Sequence, residues 1–207
     1  MIAIIDYGVG NLFSLQSSLN YIGQEARVTA DPDIIEEADR IILPGVGAFE
    51  DAARKLGESG MADLVISQAK AGKPLMGICL GMQLLFEKSY EYGEHEGLGL
   101  IKGSIVPIKD AVPNHYKIPH IGWNALAFAG RAAEEREPLF KYIDEGDHVY
   151  FVHSYYGADC ADSTIALTEY GAPITAAVAD GKVYGCQFHP EKSGKVGLNI
   201  LKAFCEI

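Results

Sequence analysis

A cysteine, a histidine and a glutamate set the terms of this chain. Cys79 lies in "PLMGICLGMQLLFE" (74–87), where an apolar run climbs to Gly77-Ile78-Cys79-Leu80-Gly81 and a helical pattern is expected over residues 82–87. The G-x-C-x-G form at a strand-to-helix turn is the layout of a nucleophile elbow. Glycines permit the tight turn that lifts the sulfur clear of the backbone. At a helix start, unpaired N–H groups and the helix dipole favour a thiolate, and the Leu80 amide can donate to a developing oxyanion. This stretch alone leaves a second reading open, a buried core cysteine beside two packing glycines.

A nucleophile needs a base, and "YGCQFHPEKSG" (184–194) offers His189 with Glu191 two residues on. Pro190 biases His189 toward extended backbone, where residues i and i+2 point to one side. Glu191 can then hold one imidazole nitrogen while the other faces Cys79, a nucleophile, base and orienting carboxylate in series. A turn that happens to carry a histidine is the plainer alternative. His95, His115 and His148 stand in polar sequence and are expected at the surface. In "ILPGVGAFED" (42–51) a strand ends in Pro44-Gly45-Val46-Gly47, a thin backbone that could complete an oxyanion hole or be an ordinary glycine turn. Gly8-Val9-Gly10 and Gly45-Val46-Gly47 begin as G-x-G but lack the third glycine of a dinucleotide fingerprint, and no G-K-[ST] phosphate loop occurs.

The elements that must position these groups change character along the chain. Strands are expected at 1–6, 26–30, 40–44 and 74–79. Helices are expected around Leu12, Leu15, Leu19 and Ile22, at 31–38 behind Asp31-Pro32, and at 61–71. This alternation implies parallel strands with helices on both faces. The second half reads as short strands: "GLIKGSIVPI", "IPHIGWNALAF", "HVYFV", "TIALTEY", "PITAAVA" and "KVYGCQF". A short helix is expected at 137–143 and a last one on Val196, Ile200, Leu201 and Phe204. The fold class is therefore mixed α/β, a largely parallel central sheet with flanking helices and added antiparallel strands, in a single domain over residues 1–207.

The 207 residues carry a formal net charge of −11, which weighs against nucleic acid or an anionic membrane as partner. "MIAIIDYGVG" lacks the basic start of a signal peptide, and no apolar run reaches a membrane span. Four cysteines without a CxxC pair are too sparse for a disulfide framework or a zinc site. A cytoplasmic protein is expected.

Taken together, "GICLGMQLL", "QFHPEKSG" and "LPGVGAF", in that family's order, resemble the class I, triad-type glutamine amidotransferases. With "PHIGWN" (119–124) and "HSYY" (153–156), the chain is similar over its whole length to the branch that serves imidazole glycerol phosphate synthases as glutaminase subunits. The resemblance implies Cys79 as nucleophile, His189 as general base and Glu191 as its orienter. It implies backbone donors at Val46, Gly47 and Leu80, and glutamine contacts at Gln83, Glu91, Ser154 and Tyr155. Asn11, Trp123 and Lys192 match positions at a partner interface. Each secondary role has a plainer alternative, such as Gln83 bracing a helix face or Trp123 packing in the core.

The implied reaction takes L-glutamine to glutamate and ammonia without metal or cofactor. The implied partner is a (β/α)8-barrel cyclase subunit that receives the ammonia. Three rivals remain. The glutaminase of pyridoxal phosphate synthase is expected to carry a Gly-Gly-Glu-Ser loop where this chain has "PGVGAF". A γ-glutamyl peptidase would need no partner. A silent regulatory subunit would have no use for an intact triad.

Overall fold

The computed structural model describes residues 1–207 except residues 131, 133, 134 and 136. Its first half alternates as the hydrophobic pattern predicts. Strand β1 (Ile2–Ile5) is followed by helix α1 (Leu12–Tyr21), β2 (Ala26–Thr29), α2 (Pro32–Glu37) and β3 (Arg40–Leu43). Asp31 caps α2 by accepting from the Asp33 amide at 3.0 Å, with Pro32 at the first helical position. Two helices follow, α3 (Phe49–Glu58) and α4 (Met61–Lys70), and then β4 (Leu75–Ile78).

The central sheet runs β2-β1-β3-β4 and continues through β14 (Val183–Cys186) to β13 (Pro173–Asp180), β12 (Thr164–Glu169) and β9 (Ala127–Phe128). The β2-to-β14 half is parallel and the remainder antiparallel. Side chains alternate between its faces. Ile2, Ile4, Ile42 and Ile78 pack with α1 and with the last helix, α6 (Gly194–Phe204). Ala3, Ile5, Ile41 and Leu43 pack with α2, α3 and α4. Each fully buried Ile or Leu contributes roughly 1.5–3 kcal/mol, so both layers are needed to hold the parallel strands.

Two smaller sheets flank it. One runs β11 (Tyr155–Ala158), β7 (Ile101–Pro107), β5 (Phe86–Ser89) and β6 (His95–Glu96); the other pairs β10 (His148–His153) with β8 (His120–Ala125).

Two expected elements are corrected. The helix placed at 82–87 is instead α5, Leu80–Leu84, and Phe86 already starts β5. Leu85 and Phe86 are both fully buried, and such an apolar run looks alike in either conformation. The helix placed at 137–143 is a 3-10 turn, Pro138–Phe140.

Candidate active site

Cys79 stands at the top of β4, between that strand and α5, with φ 54° and ψ −112°. A non-glycine residue rarely adopts positive φ, and here the conformation turns the side chain out of the sheet. Its amide donates to the Cys186 carbonyl at 2.7 Å, which ties the turn to neighbouring β14. The flanking glycines answer to close backbone approach. A Cβ on Gly81 would sit 1.9 Å from the Leu43 carbonyl oxygen, and one on Gly77 would sit 2.6 Å from the Gly81 carbonyl oxygen.

The imidazole arrives from the neighbouring strand. His189 follows β14 in extended backbone (φ −100°, ψ 100°), and Pro190–Lys192 then forms a 3-10 turn rather than continuing extended. The turn still brings Glu191 back, and its Oε1 lies 2.8 Å from His189 Nδ1. The backbone of His189 is clamped: its amide donates to the Tyr150 carbonyl at 3.0 Å, and its carbonyl accepts from Ser193 Oγ at 2.6 Å. Burial works against the imidazolium, but hydrogen bonds to Cys79 and Glu191 outweigh it and carry His189 up to about 9. Among the described residues, Glu191 Oε2 is buried with no hydrogen-bond partner, so the carboxylate meets the imidazole through one oxygen.

A cavity of about 380 Å³ opens over the sulfur. Its lining includes Cys79, His189, Val46, Gly47, Leu80, Gln83, Glu91, Ser154, Tyr155 and Lys192, so ten of the thirteen sequence-predicted residues converge there. Leu80 is the first residue of α5, where an amide has no intrahelical acceptor. Among the described residues, its amide and those of Val46 and Gly47 have no hydrogen-bond acceptor, and Gly47 takes φ 98°. Gln83 is buried, and its amide nitrogen donates to Gln187 Oε1 at 3.0 Å and to the Tyr155 carbonyl at 3.2 Å. Glu91 lines the cavity while its Oε2 accepts from the Phe49 amide at 2.6 Å, at the start of α3.

The other three lie elsewhere. Glu191 sits behind His189. Asn11 borders a small void with Pro44, Gly45, His189 and Glu191. Trp123 projects from β8 with 54% of its surface exposed, beside Ile121 at 58%. A core role for Trp123 is thereby excluded. His115 and His148 are exposed as expected, whereas His95 is half-buried with Nε2 enclosed.

Sequence reading missed Gln187 and His153. Gln187 is fully buried, and its Nε2 donates to Cys79 Sγ at 3.8 Å. Two places before His189, it had a signal: alternation from that histidine puts it on the same side. Cys160, Cys186 and Cys205 are buried, and burial raises each thiol; Cys205 reaches about 11. Among the described residues, no cluster of His, Cys, Asp or Glu has metal-site geometry, and no helix is long and apolar enough to cross a membrane.

The family model for class-I glutamine amidotransferases matches residues 3–206. The chain is 50% identical over 208 residues to the imidazole glycerol phosphate synthase subunit HisH of Caldanaerobacter subterraneus subsp. tengcongensis, covering 100% of this chain and 98% of that protein. The subunit HisH of Wolinella succinogenes is 48% identical over 209 residues, with 100% of each chain covered. Among solved structures, a glutamine amidotransferase superposes with TM-score 0.75 at 20% identity, covering 100% of this chain and 98% of the other. PurLQS from Thermotoga maritima gives 0.73 at 20% identity, covering 99% and 97%. At those identities the structural likeness establishes the shared fold.

Proposed function

The chain belongs to the class I glutamine amidotransferase family, and from that membership we propose that it is the glutaminase subunit of an imidazole glycerol phosphate synthase, of histidine biosynthesis, acting as one domain in the cytoplasm. The observation that carries the chemistry is the 2.8 Å His189–Glu191 hydrogen bond behind a Cys79 of positive φ that lines the cavity. The relatives that match over their full length at about half identity carry the assignment to this branch of the family.

The reaction follows from the site. Glutamine enters the cavity with its side-chain amide over Cys79. The sulfur attacks the amide carbon as a thiolate, and the carbonyl oxygen takes the negative charge. The amides of Leu80, Val46 and Gly47 are the donors available to it; removing one such donor typically costs roughly 10²–10³ in rate. His189, held protonated by its partners, gives its proton to the departing nitrogen, and ammonia leaves. The same imidazole, now neutral, takes a proton from water as it attacks the thioester. Glutamate and free Cys79 result. Glu191 fixes the tautomer by accepting from Nδ1, which leaves Nε2 toward the sulfur.

Ammonia released into neutral water is protonated and lost as a nucleophile, so the product must pass directly to a second subunit. We assign that role to a (β/α)8-barrel cyclase. Exposed Trp123 and Ile121 on β8, half-exposed Val46 beside the cavity, and Lys192 at its rim form the surface it would cover. Rotation of the Val46–Gly47 peptide is the means by which that partner would switch hydrolysis on. Glutamate release measured with the chain alone, and with a barrel cyclase and its nucleotide ligand, tests this. The expected result is a rise of about 10²-fold in the complex. Full activity without a partner, or activity on γ-glutamyl peptides in preference to glutamine, would overturn the assignment.

A further inference from the structure

Two histidines with no part in the reaction above are buried beside the cavity. His120, in β8, is fully buried; His153, at the end of β10, is 5% exposed and lines the cavity. Their hydrogen bonds form one chain. His153 Nδ1 lies 2.8 Å from the Tyr155 carbonyl oxygen, and His153 Nε2 lies 3.0 Å from His120 Nδ1. His120 Nε2 lies 2.9 Å from Asn124 Oδ1, and Asn124 Nδ2 donates to the Glu169 carbonyl at 3.0 Å.

The proton count of this relay is fixed by chemistry. A carbonyl oxygen only accepts, so His153 Nδ1 and His120 Nε2 both carry protons. The bond between the rings needs a third. Two neutral imidazoles supply only two. Turning the Asn124 amide over does not help, because Oδ1 would then oppose the Glu169 carbonyl. The relay closes completely only when the pair holds one extra proton and one positive charge.

The surroundings place that charge on His120. Its ring is stacked between Tyr170, with centroids 3.9 Å apart, and Phe151, at 5.0 Å; aromatic faces attract a cation. Burial first, then the nearby His120 and His189, push His153 down to about 3 against the pull of the Tyr155 carbonyl, so that ring stays neutral.

We propose that His153, braced by His120, is a positioning residue for the glutamine site, and that the bond between the two rings closes only in a three-proton form. The Tyr155 carbonyl is the group positioned: it accepts from both His153 Nδ1 and Gln83 Nε2. The relay thereby ties β8, whose outer face carries Trp123, to the Ser154–Tyr155 wall of the cavity. Burial opposes the charge on His120 more than the Asn124 bond favours it, so His120 releases its proton below the usual histidine range. The bond between the rings is therefore the one lost as pH rises.

The functional half of this proposal rests on the glutaminase reading; the proton count does not. The test begins with ring-nitrogen NMR on the histidine-labelled chain from about pH 5 to about pH 8. His153 is expected to keep Nδ1–H and a bare Nε2 throughout, and His120 to carry protons on both nitrogens at the acid end and lose one on the way up. A His120 with a bare nitrogen at every pH, or a His153 protonated at Nε2, would overturn the count. Glutamine kinetics test the positioning. His153→Leu is expected to raise KM about tenfold with kcat nearly unchanged, while His153→Asn, whose amide nitrogen falls where Nδ1 sat, restores most of it. An unchanged KM in a folded Leu variant would refute positioning. A wild-type chain that hydrolyses no glutamine even in complex would refute the function and leave the proton count standing.

Discussion

Replacing Gly81 by alanine tests whether Cys79 is held by backbone packing. The added Cβ would lie 1.9 Å from the Leu43 carbonyl oxygen, where ordinary contact begins near 3.4 Å. Something must therefore move by about 1.5 Å, and the obstacle is not a flexible side chain. Leu43 ends β3, which is paired on both sides, to β1 and to β4. Overpacking typically costs about 1–3 kcal/mol, and a main-chain obstacle in a central strand puts this site near 3. For a chain of this size that is a fall of about 6–12 °C in Tm. Because α5 carries the Leu80 amide and abuts Cys79, a shift of about 1 Å there should also cost about 10² in glutamine turnover. Calorimetry and a coupled glutamate assay read the two effects. Gly57→Ala is the control: it lies in α3, has open space around its would-be Cβ and no positive φ, and should stabilise by about 0.5–1 kcal/mol. A Gly81→Ala protein that melts within about 2 °C of wild type and hydrolyses glutamine normally would refute the packing argument.

Cys79→Ala should lower glutaminase activity by up to about 10⁶, with the partner's chemistry still running on added ammonium salts; residual hydrolysis traced to this chain would end the nucleophile assignment. Glu191→Gln should lower kcat while glutamine binding, read by calorimetric titration, stays nearly intact, and equal loss of both would indicate a structural role instead. Trp123→Ala should weaken the complex by at least about 2 kcal/mol without changing the Tm of the free chain; unaltered affinity by surface plasmon resonance would remove Trp123 from the interface. Stability measured by urea unfolding should peak near pH 6–7. His189 is raised from 6.5 to about 9, so its contribution is complete below 6.5 and is lost as pH rises toward 9. His153 is lowered from 6.5 to about 3, so the unfolded chain binds the extra proton and stability falls as pH drops below 6.5. Each flank is of order 3 kcal/mol; a flat profile from about pH 4 to about pH 9 would contradict both shifts.

The residues of the candidate site were more legible in the chain than the geometry that supports them. Cys79 between glycines, and His189 two residues from Glu191, are local patterns, and local patterns survive in sequence. The parallel half of the sheet was legible for the same reason, because each strand and its helix are consecutive. Helix α3 went unread although its signal is local: Phe49, Ala52 and Leu56 mark a buried face at helical spacing, and Glu50, Asp51, Arg54 and Lys55 mark the outer one. The sheet formed by β5, β6, β7 and β11 was not readable: β11 pairs with β7 across some 50 residues, and nothing local records such a partner. The His120–His153 relay was out of reach for a related reason. Both histidines sit in stretches that the resemblance singled out, but the proton they share exists only once β8 and β10 are paired.

The insertion of β14 between β4 and β13 has a consequence for when this protein becomes reactive. Cys79 emerges from a ribosome about 110 residues ahead of His189. At about 5–20 residues per second, the sulfur waits roughly 5–20 s for its base. During that time the growing chain has β1 to β4 but lacks the strand that carries the His189 imidazole to the neighbouring position. On the proposed roles, a chain that stops short of β14 would hold a thiol without its base and could not hydrolyse the glutamine around it. On the proposed roles, the cysteine and its base come together only when β14 enters the sheet, and the partner's switch acts on a site already built.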